Sequence, residues 1–95
     1  MTQTISADMK FERGEGLDIN QVPDGYVVYH DTNDRVHFLN VIATVIFELC
    51  DGNHTVGEIR EILLTAYEIG DDFPDEAFQL VMANLRDEEL IVPCP

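Results

Sequence analysis

Runs of β-branched and aromatic residues alternate with turn-forming residues in the first half of the chain. Residues 26–30 (YVVYH) and 35–39 (RVHFL) are of the type that favours extended backbone, because such side chains pack well on a pleated surface. The DTND sequence between them is rich in turn formers, so the pattern predicts a β-hairpin. A Pro-Asp-Gly turn at 23–25 and the short run at 17–19 predict one further strand before it.

The second half of the chain predicts three helices. Residues 41–50 (VIATVIFELC) are apolar almost throughout and follow Asn40, a favourable N-cap, so we expect a short helix that is buried on all sides. Thr55 and Glu58 form a capping box for the next helix, and Pro74 stands near the start of the last one. Apolar residues then recur at helical spacing. They are Val56, Ile59, Ile62, Leu63, Ala66 and Tyr67 on the second helix, and Phe78, Val81, Met82 and Leu85 on the third.

These elements predict a single α+β domain. A three-stranded antiparallel sheet followed by three helices has the outline of a winged helix-turn-helix. Residues 1–16 are polar and lack periodicity, so we expect a flexible N-terminal arm. The folded domain is expected to span residues 17–92, and residues 93–95 are expected to form a tail. The apolar run at 90–92 is expected to pair briefly with the sheet or to pack on it.

The composition of the chain argues against several classes of function. There are 19 acidic residues against 5 basic ones in 95 residues, which gives a formal net charge of −14. Binding to nucleic acid needs lysine and arginine to neutralise phosphates, so this composition disfavours it. No apolar window reaches the length of a membrane span, and the first 16 residues do not resemble a signal peptide. We therefore expect a cytoplasmic protein that binds no membrane.

The sequence offers no set of residues that suggests catalysis. Ser6 is the only serine and lies in the predicted arm, which argues against serine nucleophiles and against an acyl carrier protein. Cys50 and Cys94 do not form a CxxC motif, and the three histidines lack the spacing of zinc ligands. We therefore expect no catalytic residue, no metal site and no cofactor.

One stretch resembles a known family. It reads Leu39-Asn40-x-x-Ala43-x-x-Ile46-Phe47-x-Leu49-Cys50-Asp51-Gly52-x-x-Thr55-Val56-x-Glu58-Ile59 and continues with the apolar positions of the last two helices. This run is similar to the core signature of the PqqD family, also called the RiPP precursor peptide recognition element. The resemblance covers about residues 26–92. Ala77 and Glu89 depart from it, since the family often has Asp and Gly at these two positions.

The resemblance implies a fold and a function. Members of the family have a three-stranded sheet packed on three helices, and they bind the leader segment of a ribosomally made precursor peptide. The leader adds as a further strand beside the third strand and lies in the cleft toward the last helix. The family acts as a peptide chaperone without catalysis, and it delivers the peptide to a tailoring enzyme that is often a radical-SAM maturase.

The residues themselves fit this mechanism, because an edge strand at 35–39 would offer unpaired N–H and C=O groups to a peptide. Alternation along that strand places Val36 and Phe38 on one face and His37 and Leu39 on the other. Arg35 and His37 either contact leader carboxylates or face solvent. Leu80 lies off the apolar stripe of the last helix and is either an ordinary exposed residue or part of the groove. The candidate peptide-binding residues are Arg35, Val36, His37, Phe38, Leu39, Phe78, Leu80, Val81, Met82 and Leu85.

Two other functions remain open at this point. A winged-helix DNA-binding regulator has the same outline, but it would need a basic recognition helix, and residues 75–90 carry one base and five acids. An interaction module whose partner is a protein surface and no leader peptide would also be acidic and non-catalytic. Edge strands can pair with themselves, so we expect a monomer or a weak homodimer.

Overall fold

The computed structural model describes residues 5–31, 34–66 and 74–94. Within them lie a three-stranded antiparallel sheet, three helices that follow it, and a separate two-stranded sheet. The predicted α+β arrangement is confirmed. The elements in chain order are β1 (Phe11–Arg13), β2 (Leu17–Val22), β3 (Gly25–His30), β4 (Arg35–Leu39), α1 (Val41–Leu49), α2 (Val56–Thr65), α3 (Asp75–Asp87) and β5 (Ile91–Pro93).

The larger sheet has the strand order β2-β3-β4, so β4 lies at its edge. The predicted turn at 23–25 joins β2 to β3, with Val22 paired to Gly25. Gly25 has φ +146°, and a β-carbon there would lie 1.9 Å from the carbonyl oxygen of Leu39. Only glycine fits this position, since any side chain would push β4 away from β3.

Both predicted helix caps are present. The Asn40 side chain accepts a hydrogen bond from the Ala43 N–H at 2.9 Å. Thr55 and Glu58 exchange the two hydrogen bonds of a capping box, at 3.1 and 2.8 Å. The prediction that the first helix is buried on all sides is wrong, because Val41 is exposed. Only Asn40 separates β4 from α1, so the first turn of the helix stands at the edge of the sheet.

Residues 5–16 do not form the loose arm that the sequence predicted. Ile5 and Phe11 are both buried in the core. The Gln79 side-chain amide accepts a hydrogen bond from the Ile5 N–H at 3.1 Å and donates one to the Ile5 carbonyl at 3.2 Å. The carbonyl of Met9 accepts a hydrogen bond from the Val56 N–H at 2.8 Å, next to the start of α2. This segment is held by backbone hydrogen bonds and two isolated apolar anchors, an arrangement that has no periodicity in sequence.

The second sheet joins the two ends of the domain. Strand β1 pairs antiparallel with β5, and the Gly14 N–H donates to the carbonyl of Leu90 at 3.0 Å. The apolar run at 90–92 therefore pairs with the N-terminal segment instead of the larger sheet. The predicted tail is also partly ordered, because Pro93 belongs to β5 and the Cys94 N–H donates to the Lys10 carbonyl at 2.9 Å.

The predicted helical stripes supply most of the core. Val56, Ile59 and Leu63 of α2 are buried, while Tyr67 lies outside the described residues. From α3, the buried residues are Phe78, Met82 and Leu85. They pack with one another and with the sheet, α1 and the two terminal strands in a single cluster. Helix α3 is thereby fixed from its buried side.

Substitution of Phe11 tests whether the N-terminal segment belongs to the folded domain. We expect Phe11→Ala to lower the free energy of unfolding by about 3–5 kcal/mol, because it removes a fully buried ring from the core. Urea denaturation followed by circular dichroism measures this change. Glu12→Ala is the matched control, since Glu12 is exposed on the same strand. Equal unfolding midpoints for the two variants would show that the segment is not part of the core.

Candidate functional site

Strand β4 has one open side. Its residues pair with β3 in register from His30↔Arg35 to Tyr26↔Leu39, and no strand in the described residues pairs with its other side. An open strand edge presents unpaired backbone donors and acceptors to solvent.

A groove of about 290 Å³ runs between β4 and α3. The Asn40 junction brings the first turn of α1 to one end of it. Helix α3 supplies the opposite wall, because its buried stripe anchors it against the core. The groove is mainly apolar, with two amide side chains that can donate or accept hydrogen bonds. The residues that line it are Phe38, Leu39, Asn40, Ala43, Val81, Asn84 and Leu85.

Large apolar side chains are exposed on β4 and on α3. Val36 and Phe38 of β4 are 65% and 59% exposed, and Leu80 of α3 is 63% exposed. The solvent face of an antiparallel sheet is normally polar, so two exposed apolar residues on one short edge strand are unusual. Neighbouring exposed apolar residues such as Val36 and Phe38 are typical of an interaction surface.

A charged cluster links the other end of β4 to the C-terminus of α3. Arg35 Nη1 lies 3.1 Å from Glu88 Oε2, and His37 Nε2 lies 3.7 Å from the same oxygen. The second distance is too long for a hydrogen bond, and Nε2 is buried without a hydrogen-bond partner. The Arg35–Glu88 pair is partly exposed, so it contributes little to stability. It connects β4 to the C-terminal end of α3 outside the groove lining.

The structure brings together part of the predicted site. Phe38, Leu39, Val81 and Leu85 line the groove. Arg35 and His37 stand beyond its end, in contact with Glu88.

Four predicted residues lie elsewhere. Val36 is on the opposite face of β4 from Leu39, as the alternation predicted. Leu80 is exposed on α3 and is not part of the groove lining. Phe78 and Met82 are fully buried in the core, so they have no surface to offer a ligand. Helical periodicity indicates which residues share a face, but it does not distinguish a core contact from a groove contact.

Sequence reasoning missed three residues that line the groove. Asn40 was interpreted only as a helix cap, and Ala43 only as part of a buried helix. Asn84 could have been identified from the sequence, because it is a polar residue between Val81 and Leu85 on an otherwise apolar stripe.

The two cysteines are free thiols in different environments. Cys50 is buried at the end of α1, and burial raises the pKa of its thiol to about 12. Cys94 is partly exposed near Met9 and Lys10. Within the described ranges, no group of three or more His, Cys, Asp or Glu side chains is placed to hold a metal ion. None of the described helices has the length and hydropathy of a membrane span.

The different burial of the thiols predicts different reactivity. The thiolate is the reactive form, so iodoacetamide at pH 8 should alkylate Cys94 on the native protein at least about 100 times faster than Cys50. Mass spectrometry of a labelling time course measures both rates, and labelling in urea is the control in which both thiols react. Comparable native rates would show that Cys50 is not shielded by the fold.

Comparison with known proteins identifies the family. A family model described as Coenzyme PQQ synthesis protein D (PqqD) matches residues 25–91. This chain belongs to the PqqD family. The match includes β4, α1 and α3, so every wall of the groove lies inside the family region. Strands β1 and β2 lie outside it.

The PqqD-family fold also occurs among solved structures. A chain described as "Lasso peptide synthetase B1 complexed with the leader peptide" superimposes with a TM-score of 0.71 at 17% sequence identity. The superposition covers 88% of this chain and 99% of that chain. Similarity at this identity establishes a common fold. A search of curated proteins gave no match.

Proposed function

We propose that this protein is a non-catalytic adaptor that binds the leader of a ribosomally synthesised precursor peptide and presents it to a tailoring enzyme. The observation that carries the proposal is the open edge of β4 beside the apolar groove against α3. Membership of the PqqD family supports it, and so does the solved neighbour, whose description names a bound leader peptide. The protein would act in the cytoplasm as a monomer or weak homodimer.

Two kinds of contact would hold the leader. A peptide that adds to β4 forms backbone hydrogen bonds, each contributing about 0.5–1.5 kcal/mol. These bonds do not depend on the peptide sequence. Selection among peptides therefore comes from side chains in the groove, where Phe38, Val81 and Leu85 favour an apolar partner and Asn84 offers an amide.

The charge distribution argues against the DNA-binding alternative. On α3, the basic residue Arg86 is paired with Asp87 at 3.2 Å. On α2, Arg60 is paired with Asp75 at 3.3 Å. Neither helix presents the basic face that phosphate contacts require, and the net charge of −14 repels nucleic acid. The same charge favours a basic surface on the tailoring enzyme.

The groove is tested by an NMR titration of the labelled protein with synthetic leader segments of candidate precursors. We expect saturable amide shifts along β4 and α3. Phe38→Asp should weaken binding at least about tenfold, because it places a charge against an apolar groove without a partner. Phe38 is exposed, so the variant should remain folded.

Leu64→Asp is the control for this titration, since Leu64 is an exposed leucine on α2 that does not line the groove. Full affinity of a folded Phe38→Asp variant would show that the leader binds elsewhere. The absence of shifts with every leader would favour the alternative of a module that binds a protein surface.

The tailoring enzyme we propose is a radical-SAM maturase, the partner that the resemblance to the PqqD family implies. We expect such an enzyme, reconstituted with its precursor, to modify the peptide at least about tenfold faster when this protein is present. Mass spectrometry of the precursor measures the yield. Equal yields with and without the protein would contradict delivery to that enzyme. Modification by an enzyme of another class would overturn the radical-SAM assignment alone.

A further inference from the structure

Successive residues of an antiparallel strand direct their backbone N–H and C=O groups to alternate sides. This alternation determines which residues of β4 have backbone groups open to a ligand. The Asp31 N–H donates to the Gly16 carbonyl at 2.8 Å, in line with the register of β2 and β3. Hydrogen-bonded pairs alternate along an antiparallel ladder, so the odd-numbered residues of β3 bond to β2. Its even-numbered residues, Tyr26, Val28 and His30, therefore bond to β4, where they are paired with Leu39, His37 and Arg35.

A second observation gives the same alternation of hydrogen bonds along β4. The carbonyl oxygen of Leu39 is directed at Gly25, where it approaches the position of a β-carbon to within 1.9 Å. The backbone groups of Leu39 thus face β3, and alternation turns those of Val36 and Phe38 to the open side of β4. In the described part of the chain, no hydrogen bond uses the N–H or C=O of Val36 or Phe38 outside the β3–β4 pairing.

The side chains of the same two residues lie on the outer face of the sheet, away from the core. Val36 is paired with Tyr29 and Phe38 with Val27, so these four side chains share that face. Both are more than half exposed, and Phe38 also borders the groove. The open backbone groups and the exposed apolar side chains therefore belong to the same two residues.

We propose that side chains of the leader are recognised on both faces of the sheet at once. This inference rests on the proposed function and concerns which leader residues are recognised. An antiparallel strand bonded to Val36 and Phe38 places its two paired residues on the outer face, beside those side chains. The leader residue between them points to the other face, toward α3 and the groove. A matching leader therefore carries apolar or aromatic residues at positions i and i+2, in addition to the residues that fill the groove.

Amide hydrogen exchange tests which amides of β4 are open, first in the free protein and then in the complex. Without ligand, the amides of Val36 and Phe38 should exchange faster than that of His37, which bonds to β3. With a saturating synthetic leader that gives shifts in the titration above, the Val36 and Phe38 amides should become at least about tenfold more protected. Slow exchange of both amides in the free protein, or no gain in protection on binding, would overturn the inference.

Substitution of Val36 tests the outer face separately from the groove, because Val36 does not line the groove. Val36→Thr keeps the β-branched shape and the backbone but removes apolar contact, so leader affinity should fall about two- to fivefold. Ile19→Thr is the matched control, since Ile19 is an exposed β-branched residue on β2 that faces the other side of the sheet. Serine at leader positions i and i+2 should weaken binding similarly.

The outcomes separate this inference from the function on which it rests. Equal affinities for Val36→Thr and Ile19→Thr, together with saturable binding of a leader to the unsubstituted protein, would leave leader binding in place and overturn recognition on the outer face. The absence of binding by any leader would overturn both.

Discussion

Strand β4 has no strand partner on one side within the described residues. An open strand edge must avoid pairing with other copies of itself, because unpaired backbone groups are sites of aggregation. This protein limits that risk by the short length of β4, which has five residues, and by a net charge of −14 that keeps copies apart. Because the strand is short and the chain is strongly charged, the apolar side chains of Val36 and Phe38 can remain exposed.

The two walls of the groove are held mainly by different contacts. Strand β4 is held by its ladder with β3 and by the close approach of Gly25 to Leu39. Helix α3 is held by Phe78 and Met82 in the core and by the contact of Gln79 with Ile5. The N-terminal segment, although it lies outside the family match, thus supports the helix that forms one wall of the site.

The parts of the fold that depend on local sequence could be predicted. Strand β4, the Asn40 cap and the Thr55–Glu58 capping box are set by neighbouring residues, and all three were located from the sequence. The pairing of β1 with β5 joins residues about 80 positions apart, and three-residue strands carry too little pattern to show it.

The site was predicted in part for a related reason. The resemblance to the PqqD family implied a cleft between the third strand and the last helix, and the structure has a groove between β4 and α3. The sequence did not indicate which side of the apolar stripe on α3 is covered by the core, so Phe78 and Met82 were assigned to the site although they are buried. Burial of one side of a helix is a property of the tertiary packing and has no separate signal in the periodicity.

Peptide binding at the edge of β4 is tested by an isotope-filtered NOE experiment on the labelled protein with a bound, unlabelled leader segment. We expect intermolecular NOEs from the leader to the side chains of Phe38, Val81 and Leu85, and from leader amides to the backbone of Val36 and Phe38. NOEs confined to α2 or to the β1–β5 sheet, with none to β4, would contradict peptide binding at this edge.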